Sequence, residues 1–196
     1  MNRKVEQGLE TRREIIEAAR RLFAEHGYAG VSIEQVLAAS GVSRGALYHH
    51  FRGKEALFEA VFEAMEAEIA QIVLARSAAA ASPAEALAVG GDAFLDLARE
   101  KAVRQIVLTD APAALGWEKW RAIDAQHGFG LLKAALAPAA AEAGLPEAMV
   151  EPFAHMLLAS LTEIALLIAR AEDSEAEAEA GKAAIRELLG RILRTP

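Results

Sequence analysis

Residues 32–51, SIEQVLAASGVSRGALYHHF, confine this chain more tightly than any other stretch of it. Ser32 with Gln35 three residues on reads as a capping box, so a short helix opens there. It ends at Gly41, which suits a turn position needing positive φ. Ser43 can cap a second helix running to about His50. Upstream, Thr11 to Glu14 (TRRE) reads as another capping box. It is followed by Ile15, Ala19, Leu22 and Phe23 on one apolar face, with Gly27 at the helix end. Ile33, Val36, Leu37, Val42 and Leu47 can bury together with Leu22 and Phe23. Helix, glycine turn, helix is the spacing of a helix-turn-helix, whose second helix lies in the major groove of DNA.

That packing leaves Arg44, Gly45, Ala46, Tyr48 and His49 outward. Arg44 can donate two bonds to guanine O6 and N7, and Ala46 can pack on a thymine methyl. Tyr48, His50 and Lys54 can bond phosphate oxygens, while Gly45 lets the backbone approach closely. The alternative is a generic two-helix corner with no ligand. Charge permits the DNA reading without proving it. The chain carries −7 overall, yet residues 1–55 sum to +2 and residues 56–196 to −9.

Residues 11–62 as a whole resemble the N-terminal domain of the tetracycline-repressor-like (TetR) transcriptional regulators. The resemblance rests on LFAEHGY at the end of the first helix, on SIEQVLAASGVSRGALYHHF, and on KEALF opening the fourth. It implies that Ser43 to His49 face bases and nearby phosphates, and that Ser32, Tyr48, His50 and Lys54 hold the DNA backbone. It further implies a homodimer on a palindromic operator, a helical C-terminal domain that binds a small molecule, and a fourth helix acting as lever between them. One departure is Gly53, where the family often has a Ser or Asn capping the fourth helix. Gly is a weaker cap.

The rest of the chain keeps helical periodicity, and no run alternates as a strand would. The expected fold class is all-α, with a three-helix reading domain at 1–53 and a helical sensor and dimerisation domain at 54–196. Within the latter, 54–76 is a connecting helix carrying Leu57, Val61, Phe62, Met65, Ile69 and Ile72 at spacings of three and four. Further helices are expected near 83–99, 101–109, 118–136, 146–170 and 181–193. DAPAALG (110–116) and the acidic EDSEAEAEAG (172–181) are expected to separate helices.

On the last two helices, Phe153, Met156 or Leu157, Ser160, Ile164, Leu167 and Ile168 form one broad apolar face. Ile185, Leu188, Leu189, Ile192 and Leu193 form another. Paired with their copies they would make a four-helix dimer interface, for which Phe153, Leu157, Leu161, Ile164, Ile168, Ile185, Leu189 and Ile192 are the candidates. The alternative is that both faces pack on their own core.

Met65, Phe94, Trp117, Trp120, Phe129 and Met156 are candidate walls of an apolar ligand pocket, with Arg104, Gln126 and His127 as polar anchors. Asp124 with His127, and Glu151 with His155, have spacings that could hold a divalent metal. Such pairs are more often surface hydrogen bonds, so no metal and no cofactor is expected.

With no cysteine, disulfides and thiolate sites are excluded. Met1 leads into Asn2, Arg3 and Lys4 without an apolar run, so a cytoplasmic protein is expected. Val150 to Ala169 is interrupted by Glu151, His155 and Glu163 and reads as a buried helix rather than a membrane span. Two other functions compete with a ligand-released repressor: a DNA-binding regulator controlled by a protein partner, and a helical enzyme using His127 or His155. No nucleophile and base spacing, glycine-rich phosphate loop or paired-carboxylate motif supports the enzyme.

Overall fold

The computed structural model describes residues 3–193, and every element among them is helical. In chain order these are α1 (Arg3–His26), α2 (Ile33–Ser40), α3 (Arg44–His50), α4 (Lys54–Ser77) and α5 (Pro83–Leu97). A π-helical segment (Val103–Asp110) follows, then α6 (Ala111–Leu115), α7 (Trp117–Gln126) and α8 (Gly128–Glu142). A single 3₁₀ turn (Glu147–Met149) leads into α9 (Val150–Arg170), and α10 (Ser174–Ile192) ends the described chain.

The residues fall into two compact units. One comprises 3–65 with 101–120, the other 66–100 with 121–193. The first unit thus reaches past the expected boundary at residue 53, because the opening half of α4 supplies its core. Leu57, Phe58, Val61 and Phe62 are fully buried there, together with Ile15, Ala19, Phe23, Val36 and Leu47. Phe58 meets the ring of Phe23 edge-on at 5.0 Å and that of Tyr28 at 4.8 Å. The segment 101–120 joins the same unit through α1. Asp110 accepts the Tyr28 backbone N–H at 2.7 Å, and Lys101 pairs with Glu25 at 2.8 Å.

In the second unit α5 packs on α8, α8 on α9, α9 on α10 and α10 back on α5, a closed four-helix arrangement. Gly181 makes the α9–α10 approach possible, since a methyl group there would collide with Ile164. Asp96 receives Lys182 at 2.5 Å and Arg76 at 3.0 Å, and Asp92 receives Arg186.

Several expected boundaries move. The TRRE box caps nothing, because α1 already begins at Arg3 and Thr11 lies inside it. Its added turns are rich in Glu, Gln and Arg, which favour helix. DAPAALG is not a loop, since Ala111–Leu115 is helical with Pro112 in the first turn, where its missing N–H costs nothing. The helix expected at 118–136 is two helices broken at His127. The acidic 172–181 stretch is the beginning of α10. Asp173 accepts the N–H groups of Glu175 and Ala176, and carboxylates in a first turn suit the positive end of the helix dipole.

The larger correction concerns the dimer candidates. Leu157, Leu161, Ile168, Ile185 and Leu189 are buried within this chain's own four-helix core, and Phe153, Ile164 and Ile192 are half-buried. A methyl on Gly91 of α5 would touch Ile185 at 3.5 Å and Leu161 at 3.6 Å, so α5 already occupies that face. The side chains left outward are Met156, Leu167 and Leu188, 62%, 47% and 38% exposed. Leu189→Glu is accordingly expected to unfold the chain rather than separate two folded copies. Loss of the leucine alone should cost about 2–5 kcal/mol, read from the urea midpoint at constant slope.

Candidate functional site

The turn between α2 and α3 is built as its sequence demands. Ser32 accepts the Gln35 N–H at 3.2 Å while its own N–H donates to Gln35 Oε1 at 2.7 Å, a complete capping box. Gly41 closes α2 at φ 71°, a left-handed conformation that costs an L side chain roughly 1–2 kcal/mol. Ser43 then caps α3 by accepting the Ala46 N–H at 3.2 Å. Gly53 sits at φ 141° just before α4, so glycine serves backbone geometry there and is not merely a weak cap.

Leu47 is the one fully buried residue of α3 and anchors the helix to its unit. Arg44, Gly45, Tyr48 and His49 are exposed, and Ala46 and His50 half-exposed, so one face is presented outward. Arg44 donates to Glu34 of α2 at 3.0 Å, an exposed ion pair that holds the guanidinium at the surface. Glu34 has its pKa lowered, by a backbone hydrogen bond first and by Arg44 second. His50 rests beside His49, and Arg12 lies over the ring of Phe51 at 5.4 Å. Burial, then the neighbouring His49 and Arg12 charges, lower the His50 pKa and favour neutral imidazole, a hydrogen-bonding group rather than a fixed cation.

Lys54 is more committed than the sequence suggests. Its ammonium donates to the carbonyls of Tyr28 at 2.9 Å and Val31 at 3.0 Å, and lies 4.3 Å from the centre of the Tyr28 ring. Two of three donors therefore hold the α1–α2 turn.

An N-capped helix behind a glycine turn, with arginine, tyrosine and histidine on its outward face, defines a helix-turn-helix DNA-binding regulator. Residues 15–61 match the family described as bacterial regulatory proteins, tetR family. Residues 84–192 match the tetracyclin repressor-like C-terminal domain. The chain belongs to the TetR family of transcriptional regulators. Its fold is similar over 100% of both chains to a TetR-family transcriptional regulator from Pectobacterium atrosepticum, with TM-score 0.81 and 32% identity.

It is also similar to FadR from Bacillus subtilis, solved in complex with stearoyl-CoA, at TM-score 0.76 and 20% identity over 92% of this chain and 98% of that one. A curated relative, the HTH-type transcriptional repressor AcnR of Corynebacterium glutamicum, is 49% identical over 63 residues, 32% of this chain and 34% of that protein. The match therefore spans about a third of that relative's length. These relatives are DNA-binding regulators, not enzymes.

The pocket candidates are divided between the two units. Met65, Arg104, Trp117 and Trp120 belong to the first unit, and Phe94, Gln126, His127, Phe129 and Met156 to the second. Trp117 and Trp120 pair with ring centres 5.2 Å apart, and Trp117 is 68% exposed. Met156 faces outward, Gln126 is exposed, and His127 occupies the break between α7 and α8. Among the described residues neither metal spacing belongs to a group of three or more His, Cys, Asp or Glu. His127 lies at the break between α7 and α8, one residue beyond the helix that carries Asp124. Glu151 is held by Lys133 at 2.6 Å, while His155 stacks on Phe129 at 4.3 Å.

Sequence reasoning missed a pair of buried acids in the second unit. Glu66 of α4 and Asp124 of α7 are each only 8% exposed. Burial, then the neighbouring Asp124, pushes Glu66 up to about 8, and burial also raises Asp124 against the pull of Arg121 and His155. The available signal was Glu66 itself, three residues before the buried Ile69 on an otherwise apolar helix face.

Two outcomes are expected. Glu34→Gln frees Arg44 and should raise DNA affinity a few-fold at low salt, measured by fluorescence anisotropy. A carboxyl whose pKa is raised on folding holds its proton more tightly in the folded state. Its stabilising contribution is present at acid pH and lost as pH rises toward about 8. Glu66→Gln should therefore raise the melting temperature more at pH 8 than at pH 5.

Proposed function

We propose that this protein is a homodimeric repressor that reads a palindromic duplex with α3 of each copy and is released by a small molecule held in its second unit. The supporting observation is the outward face of α3, where Arg44, Gly45, Ala46, Tyr48 and His49 stand clear of the core while Leu47 anchors the helix. Arg44 reads guanine once it leaves Glu34, Ala46 meets a thymine methyl, and Ser32, Ser43, Tyr48, His50 and the remaining donor of Lys54 bind phosphates.

A palindrome requires two copies related by a two-fold axis, with half-sites about 34–36 Å apart. Met156, Leu167 and Leu188 supply an apolar surface on α9 and α10 that a second copy would cover, and this replaces the core-facing set expected from sequence. The release mechanism follows from α4. Its 24 residues, about 36 Å at 1.5 Å per residue, contribute to both compact units. A ligand that prefers one tilt of this helix shifts the spacing of the reading helices by its differential affinity for the two states. The names of the similar proteins agree with this reading, a repressor in one case and a stearoyl-CoA complex in another.

The test is selection of a binding site from random duplexes, followed by titration of variants. Arg44→Ala should cost roughly 1–3 kcal/mol on the selected site and relax its base preference. Leu188→Glu should sediment as a folded monomer that binds a half-site weakly. An unchanged preference in Arg44→Ala would remove α3 from the reading role, and an unchanged dimer in Leu188→Glu would remove this interface.

A further inference from the structure

Glu66 and Asp124 converge on one point. If Gly128, the first residue of α8, carried a methyl group, it would lie 2.9 Å from Asp124 Oδ1 and 3.6 Å from Glu66 Oε2. Asp124 spends its other oxygen, Oδ2, on Arg121 at 2.9 Å. Among the described residues no hydrogen-bond donor reaches Glu66, although the side chain is more than nine-tenths buried. Two acid oxygens thus lie beside the bare Cα of Gly128, and one of the two acids has no protein donor.

The chemistry of that spot is specific. A buried carboxylate without a partner is costly and two neighbouring carboxylates repel, so the pair favours holding a proton. A cation bearing N–H donors relieves both penalties. A divalent metal fits poorly, since no group of three or more His, Cys, Asp or Glu among the described residues could hold one. A primary ammonium fits well, because its three donors can reach Asp124 Oδ1 and Glu66 Oε2 together. Phe129 follows Gly128 in α8 and stacks on His155 with rings 21° apart. His155 is also near enough to Asp124 to lower its pKa. Asp124 of α7 is the charged group that acts on Glu66, and Asp124 is itself acted on by Arg121 of α7 and His155 of α9.

We propose that Glu66 and Asp124 form a binding site for the amino group of an organic cation whose apolar body rests near Phe129 and His155. This deepens the ligand-release reading above, on which it rests for any effect on DNA. On binding, the proton held by the acid pair leaves to solvent and the ammonium takes its place.

The experiment is isothermal titration of the full-length protein at pH 7.5 with 2-phenylethylamine and hexylamine as probes. 2-Phenylethanol and hexanol serve as neutral counterparts. The amines should bind at least tenfold more tightly than the alcohols, with heats that depend on the buffer's ionisation enthalpy because protons are released. Glu66→Gln should weaken amine binding at least tenfold and abolish the proton release. Gly128→Ala, which keeps both acids but fills the space between them, should weaken it similarly.

Equal binding of amines and alcohols, or amine affinity unchanged by Glu66→Gln and Gly128→Ala, overturns the proposal. So does the absence of amine binding by the native protein. Operator affinity measured in parallel separates the two readings. Amine binding that leaves operator affinity unchanged supports the cation site and overturns release by this ligand. Operator release by neutral compounds alone, equal in native protein and Glu66→Gln, overturns the cation site and leaves ligand release standing.

Discussion

Phe58 stands between Phe23 and Tyr28, edge-on to both, and the presentation of α3 follows from that contact. Phe23 ends the apolar face of α1, Tyr28 lies in the following turn, and Phe58 belongs to the first turns of α4. Three pieces of chain are thereby held at one point, with edge-to-face geometry adding about 0.5–1.5 kcal/mol per pair beyond burial. Lys54 reinforces it by bonding two carbonyls of the α1–α2 turn with its ammonium near the Tyr28 ring. With α1, the turn and α4 fixed, Leu47 has one place to go, and α3 can turn its polar face only outward.

Small residues and buried charge divide the work in the second unit. Gly91 and Gly181 let α5, α9 and α10 approach closely enough to bury Leu161, Ile168, Ile185 and Leu189. Around that core Asp96 gathers Arg76 and Lys182, and Asp92 gathers Arg186, so these acids are neutralised by partners at the rim. Glu66 differs from all of them. It is buried without a cation, and Asp124 beside it has Arg121 on only one oxygen. Natural cores rarely keep such a group unless something uses it.

The outward face of α3 carries its own restraint. Arg44 is the side chain best suited to guanine, and in the free protein it is paired with Glu34 one helix away. The pair is exposed, so its strength falls with salt and it competes weakly with a bidentate base contact. It holds the long side chain near the surface while adding an acidic charge that disfavours random phosphate contact. The lowered pKa of His50, set first by burial, acts in the same direction by disfavouring a fixed positive charge.

Local chemistry was readable from residue order wherever one residue type answers to one geometry. Ser32 with Gln35, Gly41, Ser43, and the outward set from Arg44 to His49 could all be placed because capping and left-handed turns depend on neighbours three or four residues away. The all-helical class and the unbroken apolar period of α4 were legible for the same reason. What distant segments do to one another was not. TRRE has the letters of a cap yet lies inside α1, and the acidic run at 172–181 has the letters of a loop yet begins α10, because propensity and dipole outweighed pattern. An apolar stripe cannot say whether its partner is another helix of the same chain or a second copy. In α9 and α10, α5 had already claimed Leu161 and Ile185, leaving Met156, Leu167 and Leu188 outside. Nor can residue order show that Glu66 and Asp124, 58 positions apart, meet over a glycine. Burial and proximity are properties of the packed chain, and they turn two ordinary acids into a proton-holding pair.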